Sequence, residues 1–176
     1  VRDDLVPGVL WVAFSFAGVL AMTRAFVLEK ERGSSQGLLL APVSRDAIYF
    51  GKMLASLIFM LVVEAAFLPI FAVLFNFTHF SPYLIVVLLL ATLGFVAVGT
   101  LFSAIAVNTR SREIMLPVLF LPIVAPVIIA AVESTSALVG TGVQGVSTGR
   151  WMGLIRVFDM VFLVGCPWVF GLVVEE

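Results

Sequence analysis

The sequence has little charge. Asp, Glu, Lys and Arg make up 12% of its 176 residues, where a soluble domain carries roughly 25%. Between Glu64 and Arg110 there is no formally charged residue at all, so no water-solvated surface can be built along that stretch and a soluble globular fold is excluded. Basic excess is also missing: ten Lys and Arg against eleven Asp and Glu leave a net charge of -1, which removes the electrostatic footprint of a nucleic-acid binder. A disulfide framework is excluded because Cys166 is the single cysteine; inside an apolar run it reads as a small buried hydrophobe. His79 is the single histidine, too few for a multi-ligand metal site or for a Ser-His dyad with a nearby carboxylate. It reads as an exposed loop residue, with an axial haem ligand as the sharper alternative. No G-x-x-x-x-G-K-[ST] phosphate cradle occurs, and the Gly145–Arg150 segment lacks the pattern. Any ATP hydrolysis therefore belongs to another chain.

Long apolar runs are what the sequence has, with 62% apolar residues and a mean hydropathy of +1.20. A bilayer core about 30 Å thick takes roughly 20 helical residues to cross. Five runs qualify: Leu5 to Thr23, Met53 to Phe75, Tyr83 to Val107, Ile114 to Val132, and Met160 to Val174 extended backwards through Leu154. The expected fold is an all-α polytopic membrane bundle, a single domain over residues 1–176 with the lipid bilayer as its solvent. Positive residues mark the cytoplasmic side. Arg24, Lys30, Arg32, Arg45 and Lys52 fall between the first two spans and Arg110 and Arg112 between the third and fourth, against Arg2, Arg150 and Arg156 on the other side. Residue 1 is thus expected outside and the C-terminus inside, with Trp11, Tyr83, Trp151 and Trp168 near the interfaces. The start at Val1 and the end at Glu176 directly after an apolar run are read as truncations.

Four segments depart from plain apolar helix. Residues 24–52 form a cytoplasmic connection much longer than two neighbouring helices need. Within it Glu29 to Arg32 is a charged turn, Gly33 to Gly37 a breaker and Leu38 to Pro42 an apolar patch; Ser44 is placed to cap a helix running into the second span. The patch is either an interfacial element lying in the headgroups or a docking surface for a soluble partner. Glu64 sits near the middle of the second span, where a carboxylate is costly. It is read either as an intramembrane site or as a protonated group bonded to a neighbouring helix. Pro117, Pro122 and Pro126 predict a kinked or broken fourth span, covered by protein or lining a cavity. Residues 133–153, rich in Gly, Ser and Thr, are expected as an external loop or a short re-entrant element rather than another span. Ala13, Ala17 and Ala21 form one small-residue ridge and Gly99 with Ser103 another.

The stretches TRAFVLEKERGSSQGLLLAPVSRDAIYFGKML and AVGTLFSAIAVNTRSREIMLPVLFLPIVAPVIIAAVEST resemble the CcmB family, the membrane permease of an ABC-type haem exporter complex in cytochrome c maturation. The likeness spans most of the chain, and the second stretch is the more specific. It implies an ABC-2-like permease of six helices, the sixth preceding Val1, in the bacterial cytoplasmic membrane. It further implies assembly as a homodimer with an ATP-binding subunit of the CcmA type and with the haem-handling partners CcmC, CcmD and CcmE. By this resemblance Glu29, Glu31, Gly33, Leu38, Leu39 and Pro42 become the coupling element toward the ATPase, and Arg110, Arg112 and Glu113 a second cytoplasmic contact. No cofactor is expected on the chain itself; ATP belongs to the partner and haem is a candidate cargo. Two other classes compete: an ATP-independent secondary transporter or channel using Glu64, and a noncatalytic membrane scaffold.

Overall fold

The computed structural model describes residues 2–31, 37, 42–76, 81–107, 112–139 and 148–173. Among them are five long helices and no strand: α1 (Arg2–Glu31), α2 (Arg45–Phe75), α3 (Pro82–Val107), α4 (Arg112–Val139) and α5 (Thr148–Val173). Each is long and apolar enough to cross a bilayer.

Local chemistry explains several ends. Ser44 caps α2, its hydroxyl accepting from the Ala47 N–H at 3.4 Å, as its position in the sequence predicts. Asn76 closes α2 in the left-handed region (φ 52°) and returns its N–H to the Ala72 carbonyl, a role for which asparagine is second only to glycine. At α3, Ser81 accepts from the Tyr83 N–H through its hydroxyl and from the Leu84 N–H through its carbonyl, while Pro82 opens the helix where a missing N–H is harmless.

Three boundaries differ from the sequence expectation. The charged turn at Glu29 to Glu31 is the last turn of α1, since nothing before Gly33 disfavours helix. The external loop expected over 133–153 is largely helical: α4 continues to Val139 and α5 begins at Thr148. Its polar residues misled because Ser134, Thr135 and Ser136 are buried inside the bundle, where Thr135 returns its hydroxyl to the Ala131 carbonyl at 2.8 Å. The fourth span is not broken either, for α4 is one helix through Pro117, Pro122 and Pro126. Interrupting it in lipid would strip more backbone groups of partners than the prolines themselves remove. Pro122 and Pro126 lie on the exposed side, while Phe120, Val124, Val127, Ala130 and Ala131 face inward.

Helix α3 is the centre and packs against all four others. Over the most apolar 18 residues of each helix, 72% are buried in α3 but only 17% in α2, and from Ala91 to Leu101 every position except Leu93 is buried. In lipid the helices gain little hydrophobic free energy from meeting, so close packing by small residues holds them. A Cβ on Gly18 of α1 would lie 2.6 Å from the Phe95 ring and 2.8 Å from Met60, and one on Gly99 would run into Met22 and approach Phe120. An aromatic chain follows, with Trp11, Phe14, Phe95 and Phe120 in successive ring contacts from α1 through α3 to α4. Of the expected ridges, Gly99 and Ser103 are buried at the centre, but Ala17 is exposed and Ala13 and Ala21 only half-buried. Gly18, one position along, is where α1 makes its close approach.

Candidate functional site

The polar groups inside the bundle gather around α3. Glu64 of α2 lies eleven residues before Phe75, Asp159 of α5 eleven after Thr148, and Thr92 and Gly94 ten and twelve after Pro82. At 1.5 Å per residue all four share one depth, about 16 Å from these helix ends. Two residues along a helix correspond to a rotation of about 200°, so Thr92 and Gly94 look out from nearly opposite faces of α3. On one face the Thr92 hydroxyl donates to Oε1 of Glu64, which is 5% exposed. On the other, Asp159 is 4% exposed, and a Cβ on Gly94 would collide with its Oδ1 and approach the Phe158 ring. Among the described residues, neither Asp159 oxygen has a hydrogen-bond partner.

Further bonds tie this centre to the ends. The Tyr49 hydroxyl, wholly buried, donates to the Ala97 carbonyl at 2.8 Å, and its ring meets Phe170 of α5 at 5.5 Å. Arg45 Nη1 reaches the Gly171 carbonyl at 3.3 Å, joining the start of α2 to the end of α5. An open cleft beside it is lined by Arg45, Asp46, Pro167, Trp168, Gly171 and Leu172. Near the opposite end Trp11 Nε1 donates to Thr135 Oγ1 at 3.0 Å across α1 and α4. Trp11 is therefore a buried, bonded core residue rather than an interface anchor. Tyr83 and Trp151 are half-buried and Trp168 is exposed.

The sequence-derived candidates fall into four groups. Glu64 is buried and meets Thr92. Pro42 is exposed, two residues before the cap of α2. Glu29 and Glu31 lie in the last turn of α1, and Arg112 and Glu113 open α4. Gly33, Leu38, Leu39, Arg110 and His79 lie outside the described residues. Among those described, no group of three His, Cys, Asp or Glu could hold a metal ion, and Cys166 is a buried free thiol.

Asp159, Thr92 and Gly94 escaped the sequence reading. The run extended back through Leu154 includes Asp159 five residues after its start, and the start of α5 at Thr148 is what sets it deep. Long basic side chains can carry their charge toward the interface from within a span, and with that allowance Asp159 falls as deep as Glu64.

Five bilayer-length helices packed around a buried polar centre define a multi-pass α-helical membrane protein. The model of the CcmB protein family matches residues 2–175, and the chain belongs to that family. It is 32% identical over 146 residues to heme exporter protein B of Rhodobacter capsulatus, covering 81% of this chain and 64% of that protein. It is 30% identical over 131 residues to heme exporter protein B of Paracoccus denitrificans (74% and 60%), and 29% identical over 128 residues to that of Pseudomonas aeruginosa (72% and 57%). The chain thus spans less than two thirds of the length of these curated relatives.

Proposed function

We propose that the chain is the membrane permease subunit of an ATP-driven complex that exports haem or releases a haem-loaded carrier during cytochrome c maturation. The observation that carries this reading is the family match over residues 2–175, together with relatives that bear the name heme exporter protein B. The chain is a transporter subunit rather than an enzyme, and a partner of the CcmA type binds and hydrolyses ATP. CcmC, CcmD and CcmE type proteins handle haem beside it, and a second copy completes the permease. The end of the bundle that carries Arg45 and Lys52 faces the cytoplasm, as the distribution of basic residues favours, which places residue 1 outside the cytoplasmic membrane and the C-terminus inside. The segment from Glu29 to Pro42 receives the motion of the ATPase, with Arg110, Arg112 and Glu113 as a second contact. Nucleotide binding then drives the permease between two conformations through the partner's different affinity for each.

The test is co-expression of the full-length protein with its candidate ATP-binding subunit, reading co-purification and ATPase activity. Wild type is expected to retain the subunit, and Leu38→Asp with Leu39→Asp, still inserted in the membrane, to lose most of it. Binding that ignores nucleotide would favour a scaffold, and absence of binding by either form would remove the ABC assignment.

One observation favours a second reading. Glu64 is held by Thr92 in the middle of the bundle, as an intramembrane ion or proton site would be. In that case Glu64→Gln abolishes transport and the Leu38 and Leu39 changes do not.

A further inference from the structure

Three kinds of buried side-chain polar atom lack a hydrogen-bond partner among the described residues: the Ser103 hydroxyl, the Ser134 hydroxyl and both oxygens of Asp159. A hydroxyl is neutral and can stay so. A carboxylate left bare in an apolar bundle is among the costliest groups a protein can bury, so Asp159 needs a cation. Its surroundings say which kind. A Cβ on Gly94 would meet its Oδ1 and the ring of Phe158, and among the described residues no group of three His, Cys, Asp or Glu could hold a metal ion. A metal ion that requires several oxygen donors therefore finds too few.

Basic side chains do not fill the role either. Helix α3 carries no Lys or Arg from Pro82 to Val107, and its titratable group, Tyr83, stands at the far end. From α2, Arg45, Asp46, Tyr49 and Lys52 belong to the end remote from Asp159 in depth, and Glu64 bonds Thr92 on the other face of α3. Arg112 and Glu113 begin α4 and Glu133 lies near its other end. On α5 itself Arg150 is near the start, Cys166 is two turns on, and Arg156, one turn before Asp159, is exposed. The Asp159 oxygens accept a bond from none of them. Gly94 supplies the space: any side chain there would displace the carboxyl.

We propose that Asp159, seated against Gly94 in the α3–α5 seam, is an exchangeable proton-binding site separate from the Glu64–Thr92 pair. The carboxylate takes one proton from the aqueous phase to become a neutral carboxyl and returns it as the seam loosens.

Infrared spectroscopy of the full-length protein in liposomes tests this directly. Wild type should show a protonated-carboxyl C=O band that Asp159→Asn removes, that Glu64→Gln leaves in place, and that moves when H₂O is replaced by D₂O. If the Asn variant proves unstable, 13C-carboxyl aspartate labelling shows whether the band belongs to an aspartate rather than to Glu64, and Asp159→Glu, which should move the band, assigns it to this position. A variant or label that alters only a carboxylate band would overturn the proposal and assign a permanent counter-cation to Asp159. A band that Asp159→Asn removes but that ignores D₂O over hours would overturn exchange and leave a locked structural proton.

Discussion

The two faces of α3 each bring a carboxyl to the same depth of the bundle, and they accommodate it differently. At Thr92 the helix offers a hydroxyl, and Glu64 of α2 is held by a hydrogen bond. At Gly94 it offers only room, and Asp159 of α5 is enclosed with both oxygens unpaired. The difference is one of design for order against design for space. A bonded carboxyl fixes how α2 lies on α3, whereas an unbonded one leaves the α3–α5 seam at that depth to be held by shape, as lipid requires where no polar partner exists.

That comparison can be broken most severely at the space. Gly94→Leu should prevent the α3–α5 seam from closing and eliminate most folded protein, because overpacking a tight contact costs about 1–3 kcal/mol or more. Gly165→Leu, at a position of α5 with open space around it, should leave the denaturation midpoint in detergent nearly unchanged. Equal damage from both would show that the seam is not the tight element.

The bonded face responds to loss of its donor. Thr92→Val leaves the buried Glu64 without its partner and should destabilise by about 1–2 kcal/mol, read as a lowered midpoint in a mixed-micelle unfolding series. Glu64→Gln keeps an acceptor for Thr92 and should cost less. If the order were reversed, the bond would not be what holds Glu64.

A smaller effect sharpens the contrast from outside the pair. Trp11→Phe removes the bond to Thr135 but keeps most of the ring packing against Phe14, so a loss of about 0.6 kcal/mol is expected, near the average for bonds between membrane helices. A double-mutant cycle with Thr135→Val isolates the coupling. Strict additivity would mean that packing rather than the bond places Trp11.

Much of the architecture was legible because a bilayer reads length and charge. Five spans, the Ser44 cap and the depth of Glu64 follow from counting residues between charges. The clearest misreading has a simple origin, that polar residues were taken as signs of water. Ser134, Thr135 and Ser136 looked like a loop but are buried helix, Thr135 bonding back to Ala131 and accepting from Trp11. Pro117, Pro122 and Pro126 pointed to a kink or a break, and α4 runs through them as one helix, with Pro122 and Pro126 on its outside. Asp159 falls inside the run extended back through Leu154, and the start of α5 at Thr148 sets it at mid-span.

The sequence alone determined that the chain is a helical membrane protein, where most of its helices run and that it lacks a nucleotide site of the phosphate-cradle type, because hydropathy, run length and motif are local properties of the chain. Only the tertiary structure decided that α3 is the core, that Thr92 receives Glu64 while Gly94 receives Asp159, and that Trp11 belongs to the interior. Those facts depend on which faces of separate helices meet, and an all-round apolar helix such as α3 carries no amphipathic stripe from which its partners could be read.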